Sequence, residues 1–388
     1  AHGLLIPSTL SVQDGDLPTS ATSNPSFRES CRKLPSIPRS CRYDCKQRLV
    51  RTMTNLLEFR NVSKVYTKGL ISKSSTTALQ DVSLKLPENE STIMAVAGES
   101  GSGKTTLAML LLGFIQPTSG QILYRGQDIR TLRGAERMTF RREVQAVFQD
   151  PFAVFNPFYT VDHLLEVPIK QFKLAANERE ARQKMEDALT AVGLHPQDVL
   201  GRFPHQLSGG QRQRINVARA LILRPKILVA DEPVSMVDAS LRANILETLQ
   251  KLEKEYGVSI IYITHDLTTA FHIAKSIVVL YRGNVMEAGD VDRTIMAPEH
   301  PYTKLLIDSI PWPDITRKWG ETKLIVREGE LGQEIPGCKF LARCPYAMDK
   351  CKTPPPLYKL NEYQGAACYL HDSKPEIPLD NLSELLPV

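Results

Sequence analysis

The chain has 388 residues, of which 42% are hydrophobic, and this is enough for one large core and a smaller domain. Its net charge of +5 is spread rather than clustered, so the composition does not point to a nucleic-acid partner. No apolar run approaches the roughly 18 residues of a membrane span. The cysteines avoid the long middle of the chain, which argues against a distributed disulfide framework and predicts a cytoplasmic protein.

Residues 1–52 are rich in Ser, Pro and Arg and lack apolar periodicity. We predict that they form a disordered or non-native leader that ends before Met53. Two alternatives stay open for this segment. One is a targeting segment, which its acidic residues disfavour. The other is a metal site that uses Cys31, Cys41 and Cys45.

Residues 57–65 and 78–86 are predicted to pair as edge strands, with Tyr66 at the end of the first. An aromatic side chain there can stack on an adenine ring, although a core aromatic gives the same pattern. The next segment fits G-x-x-x-x-G-K-[ST] and lies between a strand-like run at 93–97 and a helical stretch at 107–114. It consists of Gly98, Glu99, Ser100, Gly101, Ser102, Gly103, Lys104, Thr105 and Thr106.

This strand, loop and helix pattern predicts a loop that wraps the phosphates of a nucleotide. Glycines let the backbone approach the phosphates, and the loop N–H groups and the positive helix end then face the anion. Lys104 is predicted to contact the β- and γ-phosphates, and Thr105 to give its hydroxyl to Mg²⁺. A Gly-Ser turn before a helix is the alternative that the motif alone leaves open.

The periodicity changes along the rest of the chain. Residues 121–124 and 144–148 are predicted strands, and a mostly helical insert follows from about residue 150 to 223. Its predicted helices are 161–172, 178–192 and 211–223. Strands and helices then alternate, which predicts an α/β fold with a parallel sheet. The alternating elements are strand 227–230, helix 241–256, strand 258–264, helix 267–275 and strands 276–281 and 284–288.

Two short motifs in this region carry further chemistry. Asp231 and Glu232 end an apolar strand, where a P-loop fold uses the first for Mg²⁺ and the second as general base. A solvated strand end is the alternative. The other motif begins a helix with Ser and Gly residues, so the helix N-terminus can bind an anion. If two chains are placed head to tail, this N-terminus of each chain can contact the γ-phosphate bound to the other chain. It consists of Ser208, Gly209, Gly210 and Gln211.

A small C-terminal domain is predicted over residues 311–388, after a nucleotide-binding domain over 53–310, because the composition shifts to Pro, Trp and Cys. Its cysteines are separated by 5, 6 and 16 residues. Four thiolates can bind Zn²⁺ or an iron–sulfur cluster, although structural zinc usually uses closer pairs. Disulfides or free thiols also stay open for these cysteines. The four residues are Cys338, Cys344, Cys351 and Cys368.

The phosphate loop, the LSGGQ segment and the ILVADE strand, in this order, resemble the ATP-binding subunit of an ABC transporter over about residues 56–300. The resemblance implies an ABC-type P-loop NTPase with a helical subdomain at about 150–223, and ATP and Mg²⁺ as its cofactors. It assigns adenine stacking to Tyr66, metal sensing to Gln149, γ-phosphate contact to His265 and the bridge between two subunits to Asp238. Met236 departs from the smaller residue that the family usually has there.

A narrower resemblance, to the oligopeptide and dipeptide importers, covers FQDPFAVFNP at 148–157, RFPHQ at 202–206 and HPYT at 300–303. It implies an ATP hydrolase at the cytoplasmic face of the cell membrane. The implied partners are two transmembrane permeases, a second ATP-binding subunit and an extracellular substrate-binding protein. The cysteine spacing resembles the cluster motif of these importers and implies [4Fe-4S], with Zn²⁺ as the alternative.

Other functions share the ATPase motifs. Some members of the importer branch carry oligosaccharides or nickel instead of peptides. A soluble ABC ATPase that acts on nucleic acid or the ribosome is expected to show paired cassettes, coiled-coil insertions or a basic face, and none is visible in this sequence. An exporter subunit is disfavoured by the importer-like residues 300–303.

Overall fold

The computed structural model describes residues 55–68, 74–310 and 336–387. The leader at 1–52, with Cys31, Cys41 and Cys45, lies outside these residues, and so does the predicted domain boundary near residue 311. Within the described ranges, no helix is long and apolar enough to cross a membrane.

The strands are numbered along the chain. They are β1 (Asn55–Lys68), β2 (Ser74–Pro87), β3 (Ile93–Ala97), β4 (Ser119–Tyr124), β5 (Gln127–Asp128), β6 (Val144–Val147), β7 (Ile227–Asp231), β8 (Ser259–Thr264), β9 (Ser276–Tyr281), β10 (Asn284–Asp290), β11 (Leu357–Asn361), β12 (Gln364–Ala366) and β13 (Glu376–Ile377).

The α-helices are numbered in the same way. They are α1 (Lys104–Leu111), α2 (Gly134–Glu143), α3 (Val161–Gln171), α4 (Glu178–Ala191), α5 (Pro196–Val199), α6 (Gly209–Ile222), α7 (Ala239–Tyr256), α8 (Leu267–Ile273), α9 (Val291–Met296) and α10 (Pro301–Asp308).

The strands form two sheets. In the larger, nine-stranded sheet, β9, β3, β8, β7 and β6 lie side by side and parallel, and β10, β12, β11 and β13 continue it in antiparallel pairs. Strands β2, β1, β4 and β5 form a smaller antiparallel sheet. The predicted α/β fold with a parallel sheet is thus confirmed. Tyr66 lies inside β1 rather than at its end, because the pairing with β2 continues to Lys68.

The parallel strands are mostly apolar because both faces of the large sheet are covered. In β3, Ile93, Ala95 and Ala97 face one core, whereas Met94 and Val96 face the other. The first core lies against α6, α7 and α8, and the second contains α1 and the small antiparallel sheet. The expected helical insert is also present, since α3, α4 and α6 pack on one another between β6 and β7.

The described C-terminal residues extend the large sheet. Strand β12 pairs with β10, with Glu287 opposite Ala366 and Gly289 opposite Gln364. Within the described residues, these strands share one sheet with the nucleotide-binding part, and the predicted small cysteine-rich domain stays a prediction. The predicted domain limits at residues 52, 53, 310 and 311 stay predictions.

Glu287 is a buried acceptor at this junction. Its carboxylate accepts hydrogen bonds from the backbone N–H groups of Glu299 at 3.1 Å and His300 at 2.9 Å, and from Gln364 Nε2 at 3.0 Å. Burial raises the pKa of Glu287, and the donors act in the opposite direction. The carboxylate thus joins β10, β12 and the segment that leads into α10.

Replacement of Glu287 by Ala should lower the free energy of unfolding by about 3 kcal/mol, because it leaves buried donors without their acceptor. Chemical denaturation of the chain measures the effect. Glu255→Ala is the control, since Glu255 is an exposed helix residue that pairs with Lys251 at 3.8 Å. This control should change the stability by less than about 0.5 kcal/mol. Equal stability of the two variants would contradict the role of Glu287.

Candidate nucleotide-binding site

The register of the parallel strands brings several predicted site residues to one edge of the sheet. The paired residues, from strand to strand, are Ala97 with Thr264, Ile263 with Asp231, and Ala230 with Val147. All four strands point the same way, so the residues that follow their carboxyl ends share this edge. Gly98, Glu232 and His265 follow directly, and Gln149 follows β6 after Phe148.

Two positions of the phosphate loop require glycine because the backbone of a neighbouring strand comes very close to them. A Cβ atom on Gly98 would lie 2.2 Å from the Leu280 carbonyl oxygen, and one on Gly103 would lie 2.4 Å from the Ala78 carbonyl oxygen. Gly103 also has a φ of 106° where it precedes α1, in the left-handed region that favours glycine. The loop is therefore packed tightly between β2 and β9.

Lys104 lies under this loop and is 7% exposed. Its Nζ donates hydrogen bonds to the carbonyl oxygens of Gly98 at 2.7 Å and Glu99 at 2.9 Å. Burial lowers the pKa of Lys104, and the nearby carboxylates of Glu232 and Asp231 oppose that shift. The loop thus holds its lysine on backbone carbonyls, with acidic groups within electrostatic range.

Asp231 and Glu232 occupy different environments at the end of β7. Asp231 is 9% exposed, and burial raises its pKa, with Glu232 acting in the same direction and Lys104 opposing it. Glu232 has a φ of 45°, in the left-handed region that non-glycine residues rarely adopt. Its N–H group donates to the Ile263 carbonyl at 2.8 Å, so β8 supports the strained turn.

The structure brings Glu232 and His265 into contact. His265 Nδ1 lies 2.9 Å from Glu232 Oε1, and the imidazole is 59% exposed while the carboxylate is 16% exposed. This hydrogen bond orients the carboxylate, and the imidazole still reaches solvent. The two residues come from different strand ends, so only the pairing of β7 with β8 places them together.

The segment 208–211 is a capped helix start. Ser208 Oγ accepts from the Gln211 N–H at 3.2 Å, and Gln211 Oε1 accepts from the Ser208 N–H at 2.9 Å, which is a capping box. The segment lies close to the loop at 235–238, because a Cβ atom on Gly209 would lie 3.5 Å from the Met236 carbonyl oxygen. Among the described residues, no hydrogen bond or ion pair joins this segment to the phosphate loop.

Four further predicted site residues have exposed side chains, whereas Ser102 of the phosphate loop is buried. Tyr66 is 41% exposed, with Lys64 Nζ 5.2 Å from its ring centroid. Thr105 is exposed in the first turn of α1, and Gln149 is exposed after β6. Asp238 is exposed before α7, and its side chain does not cap that helix. All four can therefore meet a ligand or a second chain.

Sequence reasoning missed two residues that contact the phosphate loop. Tyr302 Oη accepts a hydrogen bond from the Glu99 N–H at 2.8 Å, and Arg343 forms an ion pair with the Glu99 carboxylate at 2.9 Å. Both lie more than 200 positions from Glu99 along the chain. Their only sequence signal was that each falls in a segment, 300–303 or 338–344, that resembles the importers.

The four C-terminal cysteines line one cavity. All four are buried, and none forms a disulfide. Burial raises the pKa of Cys338 to about 11 and that of Cys368 to about 12, and the neighbouring cysteines add to both shifts. The cavity volume is about 10 Å³. In the described part of the chain, no three His, Cys, Asp or Glu side chains are placed to hold one metal ion.

Comparison with known proteins agrees with this site. A family model described as "ABC transporter" matches residues 79–235, and one described as "Oligopeptide/dipeptide transporter, C-terminal region" matches residues 286–351. The solved dimer of the ATP-binding cassette MJ0796 in a post-hydrolysis state, bound to ADP and Pi, is similar with a TM-score of 0.54 and 30% identity. That match covers 61% of this chain and 98% of the other.

Two curated relatives cover most of the chain. The "Probable peptide ABC transporter ATP-binding protein y4tS" of Sinorhizobium fredii is 40% identical over 297 residues, which are 76% of this chain and 82% of that protein. The "Oligopeptide transport ATP-binding protein AppF" of Bacillus subtilis is 39% identical over 327 residues, which are 81% of this chain and 97% of that protein. The chain therefore belongs to the ABC transporter family, in the group that carries the oligopeptide/dipeptide transporter C-terminal region.

Proposed function

We propose that this chain hydrolyses ATP to power the uptake of oligopeptides or dipeptides by an ABC importer. One observation carries the proposal: the phosphate loop, Asp231, Glu232 and His265 share one sheet edge in a chain whose relatives are named as oligopeptide transport ATP-binding proteins. The ATPase part of the proposal rests on the site in this fold, and the proposed peptide substrate rests on the names of the relatives.

The phosphate site follows from the loop and its surroundings. The backbone N–H groups of residues 98–106 and the positive end of α1 are proposed to bind the phosphates, with Lys104 on the β- and γ-phosphates. Thr105, Gln149 and Asp231 offer the hard oxygen donors that Mg²⁺ prefers. When bound, Mg²⁺ neutralises the negative charge of the β- and γ-phosphates. Tyr66 is proposed to stack on the adenine.

Glu232 is the proposed general base. Its carboxylate takes a proton from a water molecule as the water oxygen attacks the γ-phosphorus, and ADP leaves with the β–γ bridging oxygen. His265 holds the carboxylate through the 2.9 Å contact from Nδ1 and turns its exposed edge toward solvent, where a γ-phosphate can bind. The contact with His265 therefore links the base to the nucleotide.

A second ATP-binding subunit is proposed to complete the site. The 208–211 segment belongs to the helical insert and has an exposed Ser208, and Asp238 is also exposed. Both can therefore meet a second cassette placed head to tail, which would bind the γ-phosphate between one chain's phosphate loop and the other's 208–211 segment.

The permeases are proposed to dock on a groove between the helical insert and the sheet. The groove has a volume of about 560 Å³ and is lined by β6, α3 and the loop at 154–160. Three aromatic side chains in or just before this loop are exposed: Phe152 at 52%, Phe158 at 86% and Tyr159 at 51%. Exposed aromatics beside an apolar groove are typical of a protein interface. This surface follows Gln149, so a docked permease would lie next to the nucleotide site, at the cytoplasmic face of the membrane.

The four C-terminal cysteines are proposed to hold a [4Fe-4S] cluster. Four buried thiols around one cavity match the donor set of such a cluster. Each cysteine would bind a different iron atom of such a cluster, so the cluster does not need three side chains around one metal ion. A structural zinc ion does need its ligands around one ion. The cavity between them is small, about 10 Å³, and we propose that the cysteine loops separate when a cluster binds.

Glu232→Gln should bind ATP but hydrolyse it about 10²–10⁴-fold more slowly, because the amide cannot accept the proton. The measurement is phosphate release and nucleotide binding by the assembled complex. Glu255→Gln makes the same chemical change on an exposed helix and should leave turnover unchanged. Near wild-type turnover of the Glu232 variant would refute its role as base.

Cys344→Ser should lower the iron and acid-labile sulfide bound per chain after purification without oxygen. Met348→Leu is the matched control, because Met348 lines the same cavity without a thiol. Elemental analysis distinguishes the outcomes. Zinc instead of iron in the wild-type chain would show that the cysteines form a zinc site and not a cluster. Unchanged iron in the Cys344 variant would contradict the proposed cysteine ligands.

The proposed importer is tested by mass spectrometry of the proteins that co-purify with the chain from gently solubilised membranes. Two permeases, a second ATP-binding subunit and an external binding protein are expected. The Phe158→Asp variant should no longer co-purify with the permeases. Tyr256→Asp should still do so, because Tyr256 ends α7 just before β8, at the amino-terminal edge of the parallel strands. Recovery of ribosomal or nucleic-acid proteins without membrane subunits would overturn the transport role, and a sugar or nickel ligand on the binding protein would change the cargo.

A further inference from the structure

Arg343 lies in the cysteine-containing segment but contacts the phosphate loop. It ends a short 3₁₀ helix, Leu341–Arg343, between Cys338 and Cys344. Its guanidinium donates from one nitrogen to Glu99 Oε2 at 2.9 Å and from the other to Glu99 Oε1 at 3.0 Å. Such a bidentate pair fixes both the distance and the orientation of the carboxylate.

The same part of the chain also holds the backbone of Glu99. The Glu99 N–H donates to Tyr302 Oη at 2.8 Å, and Tyr302 is 0% exposed. The Tyr302 ring lies 5.4 Å from that of Phe340, which stands three positions before Arg343. Glu99 is therefore held at its N–H by α10 and at its carboxylate by the cysteine segment.

Glu99 in turn shapes the rest of the phosphate loop. Its carbonyl oxygen accepts hydrogen bonds from Lys104 Nζ at 2.9 Å and from the Ser102 N–H at 3.1 Å. A shift of Glu99 would therefore move both the lysine and the curl of the loop. Its carboxylate also carries a negative charge next to the proposed phosphate site, and the Arg343 cation offsets the repulsion that this charge exerts on an anion.

We propose that Arg343 is a positioning residue for nucleotide binding, which neutralises and orients Glu99 so that the phosphate loop accepts the phosphates. This inference rests on the proposed assignment of residues 98–106 as the phosphate site. Arg343 itself does not touch the nucleotide. The C-terminal segment thereby becomes part of the nucleotide site, although it lies 244 positions from Glu99 along the chain.

The pair is partly open to water, with 21% of the Arg343 side chain and 37% of the Glu99 side chain exposed. Its effect is therefore moderate. Arg343→Met, which keeps most of the apolar stem, should weaken the binding of a non-hydrolysable ATP analogue with Mg²⁺ by about tenfold. Arg343→Lys keeps the charge but not the bidentate geometry, so its affinity should fall between those of the wild type and Arg343→Met.

The matched control is Lys350→Met. Lys350 stands beside Cys351 as Arg343 stands beside Cys344, but its Nζ pairs with Asp372 Oδ2 at 2.6 Å. Because this ion pair lies within the C-terminal segment and not on the phosphate loop, the control should bind the analogue like the wild type. Thermal unfolding of all variants shows whether a variant has lost stability rather than affinity.

A double-mutant cycle with Glu99→Gln gives the decisive result. If Arg343 acts by neutralising Glu99, then Arg343→Met should cost little further affinity once Glu99 is an amide. A tenfold loss that persists in the Glu99→Gln background would overturn the inference, and so would wild-type affinity of Arg343→Met. A wild-type chain that fails to bind the analogue would instead overturn the proposed phosphate site, so the two failures are distinguishable.

Discussion

The parallel register of β3, β8, β7 and β6 is the constraint on which the rest of the site depends. Parallel strands in register end at the same edge of the sheet. The loop after β3, the carboxylates at the end of β7 and the histidine after β8 therefore lie close together. The side chains of these strands are covered on both faces, so a one-residue slip would move each side chain out of the core it fits and into the opposite one. Packing of the two cores thus fixes the relative positions of the reacting groups.

At this edge the chain keeps opposite charges close together in partly buried positions. Lys104 lies within electrostatic range of Asp231 and Glu232, and burial acts against the charged form of both Lys104 and Asp231. Backbone carbonyls hold the Lys104 ammonium, and the carboxylates of Asp231 and Glu232 offset its charge. Such a preorganised site suits phosphoryl transfer, in which positioning and charge neutralisation supply most of the rate.

The C-terminal segment belongs physically to this arrangement. Strand β12 continues the large sheet, Glu287 accepts hydrogen bonds across the junction, and Phe340 packs in the same core as the strands. Tyr302 and Arg343 then extend these contacts to the phosphate loop itself. The phosphate loop and the cysteine segment are therefore in direct contact through side chains of the C-terminal part.

The sequence alone predicted the α/β fold, most strands and helices of the nucleotide-binding part and the nucleotide motifs, because apolar periodicity and glycine spacing are local signals. It also indicated the family, through the combined order of those motifs. The folded structure was needed to show that Glu232 contacts His265, that Arg343 pairs with Glu99 and that β12 extends the sheet. These contacts join residues that are 33, 244 and 75 to 79 positions apart, respectively, and no local pattern encodes a partner at such a distance. They arise where packing and strand register bring the residues together.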